Sequence, residues 1–180
     1  MTRSSPRSVT YTYVVAAGSN RRGRHGAPRA EVAAALDSLD ALSSPIVESA
    51  PWGPSSRRYA NAVGLVRSDL PPPAMLSLLK ATERTFGRRR GRRWGARVID
   101  LDIVLWSGGT WRSRTLAVPH PGYRLRPFVL APLVMVAPQW RDPASGHTAR
   151  QLLARLTRPR PLPRRIADRV RSSVGRASDF

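Results

Sequence analysis

Cysteine is absent from the 180 residues, which excludes a disulfide framework, thiolate chemistry and zinc sites built on Cys. Histidine is scarce, with three in the chain, too few to favour a His-based metal site. Long apolar runs are missing as well. The longest, Phe128 to Ala137, is about half a membrane span and contains Pro132. The apolar run after Arg3 and Arg7, Tyr13 to Ala17, is too short for a signal-peptide core, so the expectation is a soluble cytoplasmic protein. No Walker A sequence occurs, which excludes a P-loop nucleotide site. Lysine is nearly absent: Lys80 is the single one among 31 basic residues, which stand against 11 acidic ones for a net charge of +20. Two causes fit that balance. A GC-rich genome favours Arg codons, and a polyanionic partner favours the bidentate guanidinium. Composition does not choose between them.

What is present suits a globular chain. The hydrophobic fraction is 41%, although Pro (17) and Gly (13) are plentiful. Residues 1–8 are polar, basic and expected to fray. Val9 to Ala17 reads as a strand ending in a Gly18-Ser19-Asn20 turn. Ala30 to Leu42 has helical spacing in Val32, Leu36 and Leu39. Pro45 to Ala50 and Tyr59 to Val66 read as strands, separated by the loop Pro51-Trp52-Gly53-Pro54. Pro73 to Phe86 reads as a helix stopped by Gly87, and Arg88 to Arg93 as a Gly/Arg loop. Val98 to Trp106 is a strand, with Trp111 to Val118 returning as a hairpin. Pro127 to Val136 and Thr148 to Leu156 have helical length. Strands and helices interleave without a βαβ rhythm, which favours an α+β sheet carrying packed helices over residues 9–157. Residues 158–180 hold seven Arg and two Asp without periodicity, and a disordered tail is expected.

The strand around Asp100 is the most informative stretch. Alternation puts Ile99, Leu101, Ile103 and Leu105 on one face, and Asp100 and Asp102 on the other with Cα atoms about 7 Å apart. Two such carboxylates are costly unless a cation sits with them, and Mg²⁺ shared with substrate phosphates is the natural occupant. A solvent-facing pair at a sheet edge is the plainer reading. Seven arginines between Arg84 and Arg97 tip the balance, since carboxylate-held Mg²⁺ flanked by guanidinium groups is what a triphosphate needs. Nucleotidyltransferases of the polymerase-β type also pair a Gly-Ser turn with a DxD strand, but roughly ten residues apart; here Gly18 and Asp100 are 82 apart.

Arg93-Trp94-Gly95-Ala96-Arg97-Val98-Ile99-Asp100-Leu101-Asp102-Ile103-Val104 resembles the signature of the 6-hydroxymethyl-7,8-dihydropterin pyrophosphokinase family of folate biosynthesis. It does so almost position for position, with Ala96 in place of the usual Pro. Gly18-Ser19-Asn20, Pro51-Trp52-Gly53-Pro54, Tyr59-Ala60-Asn61, Phe86-Gly87-Arg88, Val118-Pro119-His120 and Arg126-Pro127-Phe128-Val129-Leu130 support it in the family's order. The resemblance covers about residues 11–156. It implies a ferredoxin-like α/β sandwich with a mostly antiparallel sheet and helices packed on it. It implies an enzyme that moves pyrophosphate from ATP onto the pterin's hydroxymethyl oxygen and releases AMP.

By the same resemblance, Asp100 and Asp102 would bind two Mg²⁺ ions bridging the triphosphate. Arg97, His120 and Arg126 would contact phosphates. Arg88 would help position ATP, and the loop to Arg93 would close over it. Glu83, Trp94 and Ile103 would belong to the nucleotide site. Tyr59 and Phe128 would sandwich the pterin. Asn61, with groups from Ser49 and Ala50 to Trp52, would read its amide edge, and Trp94 would seal the site. The implied partners are ATP and the pterin, with no membrane and no specific nucleic acid. Departures stand at Trp52, where an aliphatic residue is common, and in the basic Arg21–Gly26 loop. Two other readings stay open: an RNA-binding module on a basic ferredoxin-like sheet, and another two-metal nucleotide transferase.

Overall fold

The computed structural model describes residues 9–50, 57–87 and 97–159. Residues 51–56 with Trp52, residues 88–96 with Arg88, Arg93 and Trp94, the N-terminal eight residues and 160–180 lie outside the described residues. The sheet is built on β1 (Tyr11–Ser19), which pairs antiparallel with β4 (Tyr59–Ser68) on one side and β5 (Asp100–Trp106) on the other. Two short strands, β2 (Leu42–Ser43) and β3 (Val47–Ser49), pair with the outer edge of β4. All pairings are antiparallel, in the order β2-β4-β1-β5. The Val- and Tyr-rich composition of β1 and β4 suits these central positions, buried on both faces.

Helices cover both faces of the sheet. α1 (Pro28–Asp37) and α2 (Pro72–Thr85) pack through Val32, Leu36, Met75 and Leu79 onto Tyr13, Val15, Leu101 and Ile103. α3 (Pro127–Val136) and α4 (Ala149–Thr157) pack on the opposite face, where Leu130 and Leu133 meet Val14, Val63, Val104 and Leu105. Among the described residues no helix is long and apolar enough to cross a membrane.

Three details depart from the sequence reading. α1 stops at Asp37, five residues before the expected end. Asp40 adopts a left-handed φ of 50°, and the N–H groups of Asp40 and Ala41 return to the carbonyls of Asp37 and Leu36. That is a Schellman closure, which Asp tolerates better than most residues. It leaves Leu42, the next apolar residue in the apparent period, 66% exposed at the sheet edge. On β5 the alternation fails after Ile103. Val14 pairs with Leu105 but Val15 pairs with Ile103, so Val104 is an extra, bulged residue. Leu105 therefore turns away from Ile103 and joins the α3 face. Finally, Trp111 to Val118 closes on itself, β6 (Trp111–Arg112) pairing with β7 (Ala117–Val118), instead of returning along β5.

A buried ion pair ties the turn before α3 (Tyr123–Leu125) to the chain before α4. The Asp142 side chain is 1% exposed and takes a bidentate clasp from Arg124, at 2.6 and 2.8 Å. Burial alone would raise its pKa, but the bonds from Arg124 and Ser145 outweigh that and hold it well below the carboxylate range. Because the folded pKa is depressed, the stability it contributes is complete above the unfolded value of about 3.9 and is lost as pH falls below it. Arg124→Met strands the buried charge and is expected to cost about 3 kcal/mol at pH 7, at the low end because Arg124 is itself partly exposed. Urea melts should show that loss shrinking at pH 3; an equal loss at both values would contradict the assignment.

Candidate active site

The sheet register gathers the polar residues of three strands at one end of the α3 face. Gly18 of β1 is flanked by Asn61 of β4 and by Asp100 of β5, and Ala16 by Asp102. Side chains in register on one face are neighbours. A cleft of about 320 Å³ opens above them. Its floor is small: Ala16, Ala17, Gly18 and Ala62. A Cβ on Gly18 would lie 3.3 Å from Asn61 Oδ1, so a larger side chain there would fill the space between the amide and the carboxylates. The run Ala16-Ala17-Gly18 on an otherwise bulky strand is the sequence signal for this floor, beyond the Gly18-Ser19-Asn20 turn.

One wall carries charge. Asp100 and Asp102 both line the cleft, as the alternation on β5 requires. Arg97 Nη1 donates to Asp100 Oδ2 at 2.5 Å. The backbone of Arg97 is fixed by Asn20, whose side-chain oxygen accepts the Arg97 N–H at 2.8 Å and whose own N–H donates to the Arg97 carbonyl at 3.2 Å. The Gly18-Ser19-Asn20 turn thus does two jobs: an open floor and a seat for Arg97. Behind it, buried Glu31 at the start of α1 accepts the backbone N–H groups of His25 and Gly26 and ties down the basic loop.

The rest of the lining is largely apolar: Tyr59 from β4, and Phe128 and Val129 from α3. Asn61 Nδ2 donates to Ser49 Oγ at 3.0 Å, which turns Oδ1 toward Gly18. Ser49 and Ala50 complete the rim. Arg126 and Phe128 are delivered by the first turn of α3, where Pro127 begins the helix with the fixed φ such a position favours.

His120 does not line the cleft but sits close behind it. Its backbone N–H bonds the Val104 carbonyl at 2.9 Å, at the bulge. Burial pulls its imidazole below the ordinary pKa; Asp102 opposes that and Arg126 reinforces it. Its Nδ1 is buried without a hydrogen-bond partner among the described residues. Glu83 and Ile103 are placed elsewhere. Ile103 alternates with Asp102 and is buried under α1 and α2. Glu83, 1% exposed, accepts the Leu101 N–H at 2.8 Å on the outer edge of β5. Neither lines the cleft. Arg88, Arg93, Trp94 and Trp52 fall outside the described residues.

The donor set suits a hard cation. Two partly exposed carboxylates face the cleft beside guanidinium groups, and among the described residues no third His, Cys, Asp or Glu joins them. Mg²⁺ is commonly held by one or two carboxylates plus substrate phosphates, whereas a resident zinc ion needs more protein ligands.

Known proteins share both pattern and fold. The profile of the 7,8-dihydro-6-hydroxymethylpterin-pyrophosphokinase (HPPK) family matches residues 14–138. The 2-amino-4-hydroxy-6-hydroxymethyldihydropteridine pyrophosphokinase of Synechocystis is 42% identical over 102 residues, 57% of this chain and 52% of that one. The enzyme of the same name from Pseudomonas aeruginosa is 38% identical over 148 residues, 78% of this chain and 89% of that one. That from Haemophilus influenzae is 35% identical over 134 residues, 70% and 81%. Among solved structures, wild-type Plasmodium falciparum HPPK-DHPS with STZ-DHP superposes with a TM-score of 0.65 at 12% identity, over 95% of this chain and 46% of that one. The chain thus spans about half the length of the Synechocystis relative and of the Plasmodium chain. The structural likeness supports the fold: an antiparallel sheet with helices packed on it, of the ferredoxin-like type. With the profile match over 14–138 and the long, well-covered Pseudomonas match, the chain belongs to the 7,8-dihydro-6-hydroxymethylpterin-pyrophosphokinase family.

Proposed function

We propose that this protein transfers the β,γ-pyrophosphoryl group of ATP to the hydroxymethyl oxygen of 6-hydroxymethyl-7,8-dihydropterin, in the cytoplasm, as a step of folate biosynthesis. The observation that carries the reading is the meeting, in one cleft, of two aromatic rings and an amide with a carboxylate pair and two arginines. A flat heterocycle and a polyphosphate need those two halves side by side.

Tyr59 and Phe128 stack on the two faces of the pterin. Asn61, its amide held by Ser49, accepts a ring N–H through Oδ1. Asp100 and Asp102 hold two Mg²⁺ ions, which when bound neutralise the triphosphate and polarise the phosphorus under attack. Arg97 retains Asp100 with one N–H and turns its remaining donors to the phosphates, and Arg126 does the same from the start of α3; His120, behind the cleft, and Arg88 are assigned to the phosphates by the family resemblance alone. The pterin alcohol attacks the β-phosphorus and the α,β-bridging P–O bond breaks. AMP leaves with that bridging oxygen, and the hydroxyl proton passes to solvent. Positioning and charge neutralisation carry such a reaction, with no covalent nucleophile.

Purified protein given ATP, Mg²⁺ and the pterin should release AMP, and omission of either pterin or Mg²⁺ should stop it. AMP at the same rate without pterin would refute the acceptor. Removing one stacking ring, by Tyr59→Ala or Phe128→Ala, should raise the pterin KM about tenfold to a hundredfold, since a base–aromatic stack is worth roughly 1–3 kcal/mol. The KM for ATP should stay within about twofold, as neither ring belongs to the phosphate wall. Initial-rate kinetics in both substrates separate the two effects, and an ATP-only defect would misplace the rings.

A further inference from the structure

The single lysine of a chain with thirty arginines stands at the free edge of the carboxylate strand. Lys80, on α2, sends its Nζ past the side of β5. It donates to Glu83 Oε1 at 2.7 Å and to the Leu101 carbonyl at 3.0 Å, and lies 3.8 Å from Asp102 Oδ1. The same Glu83 oxygen accepts the Leu101 N–H at 2.8 Å.

Leu101 is the residue between the two carboxylates. Among the described residues β5 ends the sheet, and no neighbouring strand there meets the outward N–H and C=O of Leu101. One turn of α2 supplies both partners and stands in for that strand. The Asp100-Leu101-Asp102 backbone is therefore held by the β1 ladder on one side and by Lys80 and Glu83 on the other.

Three oxygens converge on one nitrogen. An ammonium carries three donors on a compact head, whereas a guanidinium spreads five in a plane suited to a bidentate partner. Arginine at this position would not reproduce the clip.

We propose that Lys80 is a positioning residue for the carboxylate pair: it closes the strand edge at Leu101 and fixes the orientation of Asp102 from behind. The role rests on the reading of Asp100 and Asp102 as the Mg²⁺ ligands.

Full-length protein labelled with [15N]lysine has one side-chain ammonium, so its resonance reports Lys80 alone. A clipped ammonium gives a slowly exchanging signal near neutral pH, and Mg²⁺ with a non-hydrolysable ATP analogue shifts it. A signal lost to fast exchange, as for a free surface lysine, overturns the clip. Lys80→Arg and Lys80→Gln should each raise the Mg²⁺ concentration for half-maximal rate about tenfold, the scale for losing a partner behind a metal ligand. Mn²⁺ binding with the ATP analogue, read by electron paramagnetic resonance, should weaken by a similar factor, with pterin KM unchanged within about twofold. The double variant Lys80→Met/Glu83→Gln removes both charges together, so a fold that rejects a lone buried Glu83 charge still yields the comparison; it too should show the Mg²⁺ shift. Asp102→Asn runs in parallel. If Asp102→Asn is inactive while the Lys80 variants match wild type in Mg²⁺ and Mn²⁺ dependence, the Lys80 role is wrong and the metal reading stands. If Asp102→Asn keeps its turnover, the metal reading fails and the Lys80 role falls with it.

Discussion

Asp100→Asn or Asp102→Asn should cut pterin-dependent AMP formation by about a thousandfold or more, because each removes a charge that organises the polyphosphate in the transition state. The loss should appear in kcat, measured by chromatography of AMP at saturating ATP and pterin. Stability should move little. Both side chains face the cleft and are partly exposed, at 26% and 38%, and neither packs in the apolar core. The pair that Asp100 makes with Arg97 is partly open to water, at 26% and 34% exposure, and exposed pairs contribute about 0–1 kcal/mol. Thermal melts alongside the kinetics distinguish a lost ligand from a lost fold. Near-normal turnover in either variant would remove the metal site from Asp100 and Asp102.

Arg97→Met should come next in size, with kcat lower by about a hundredfold to a thousandfold, the scale for removing one preorganised charge-stabilising donor. Arg97 is held before any substrate arrives. Asn20 binds its backbone at both N–H and C=O, and Asp100 takes one guanidinium nitrogen. The Asn20 contacts involve main chain alone, so the substitution leaves them in place and the protein should melt as wild type does. Arg97→Lys should recover only a small part of the rate, since a point charge cannot hold Asp100 and a phosphate at once in the fork geometry. Full recovery by Lys would show that charge alone matters here. Single-turnover measurements would settle whether the defect lies in the chemical step.

The sequence carried the core of this account and missed parts that depend on backbone detail. Strand alternation correctly put Asp100 and Asp102 on one face, because the period of two holds from Asp100 to Ile103. It failed at Leu105 because a bulge adds a residue without changing composition, and nothing in Val104 marks one. The helical period of α1 ran on through Leu39 and Leu42, but the Schellman closure at Asp40 ended it; Asp there lacks the plain signal a Gly would give. The family resemblance implied one site for Asn61, Tyr59, Arg126 and Phe128, and all four line the cleft. The resemblance could not show that Glu83 turns to the strand edge, since that depends on which side of β5 the helix α2 crosses. Nor could it show the clip at Leu101, where one helix turn meets an edge strand more than twenty residues on.

Diphosphoryl transfer from ATP to a pterin alcohol leaves a distinct signature in the phosphorus NMR spectrum of one reaction mixture. ATP, Mg²⁺, the pterin and enzyme together should give an AMP singlet and a pair of mutually coupled doublets from a new diphosphate ester, growing in equal amounts. ADP with a phosphate monoester would mean attack at the γ-phosphorus, and ADP with free phosphate would mean hydrolysis; either would contradict the reaction assigned to this cleft.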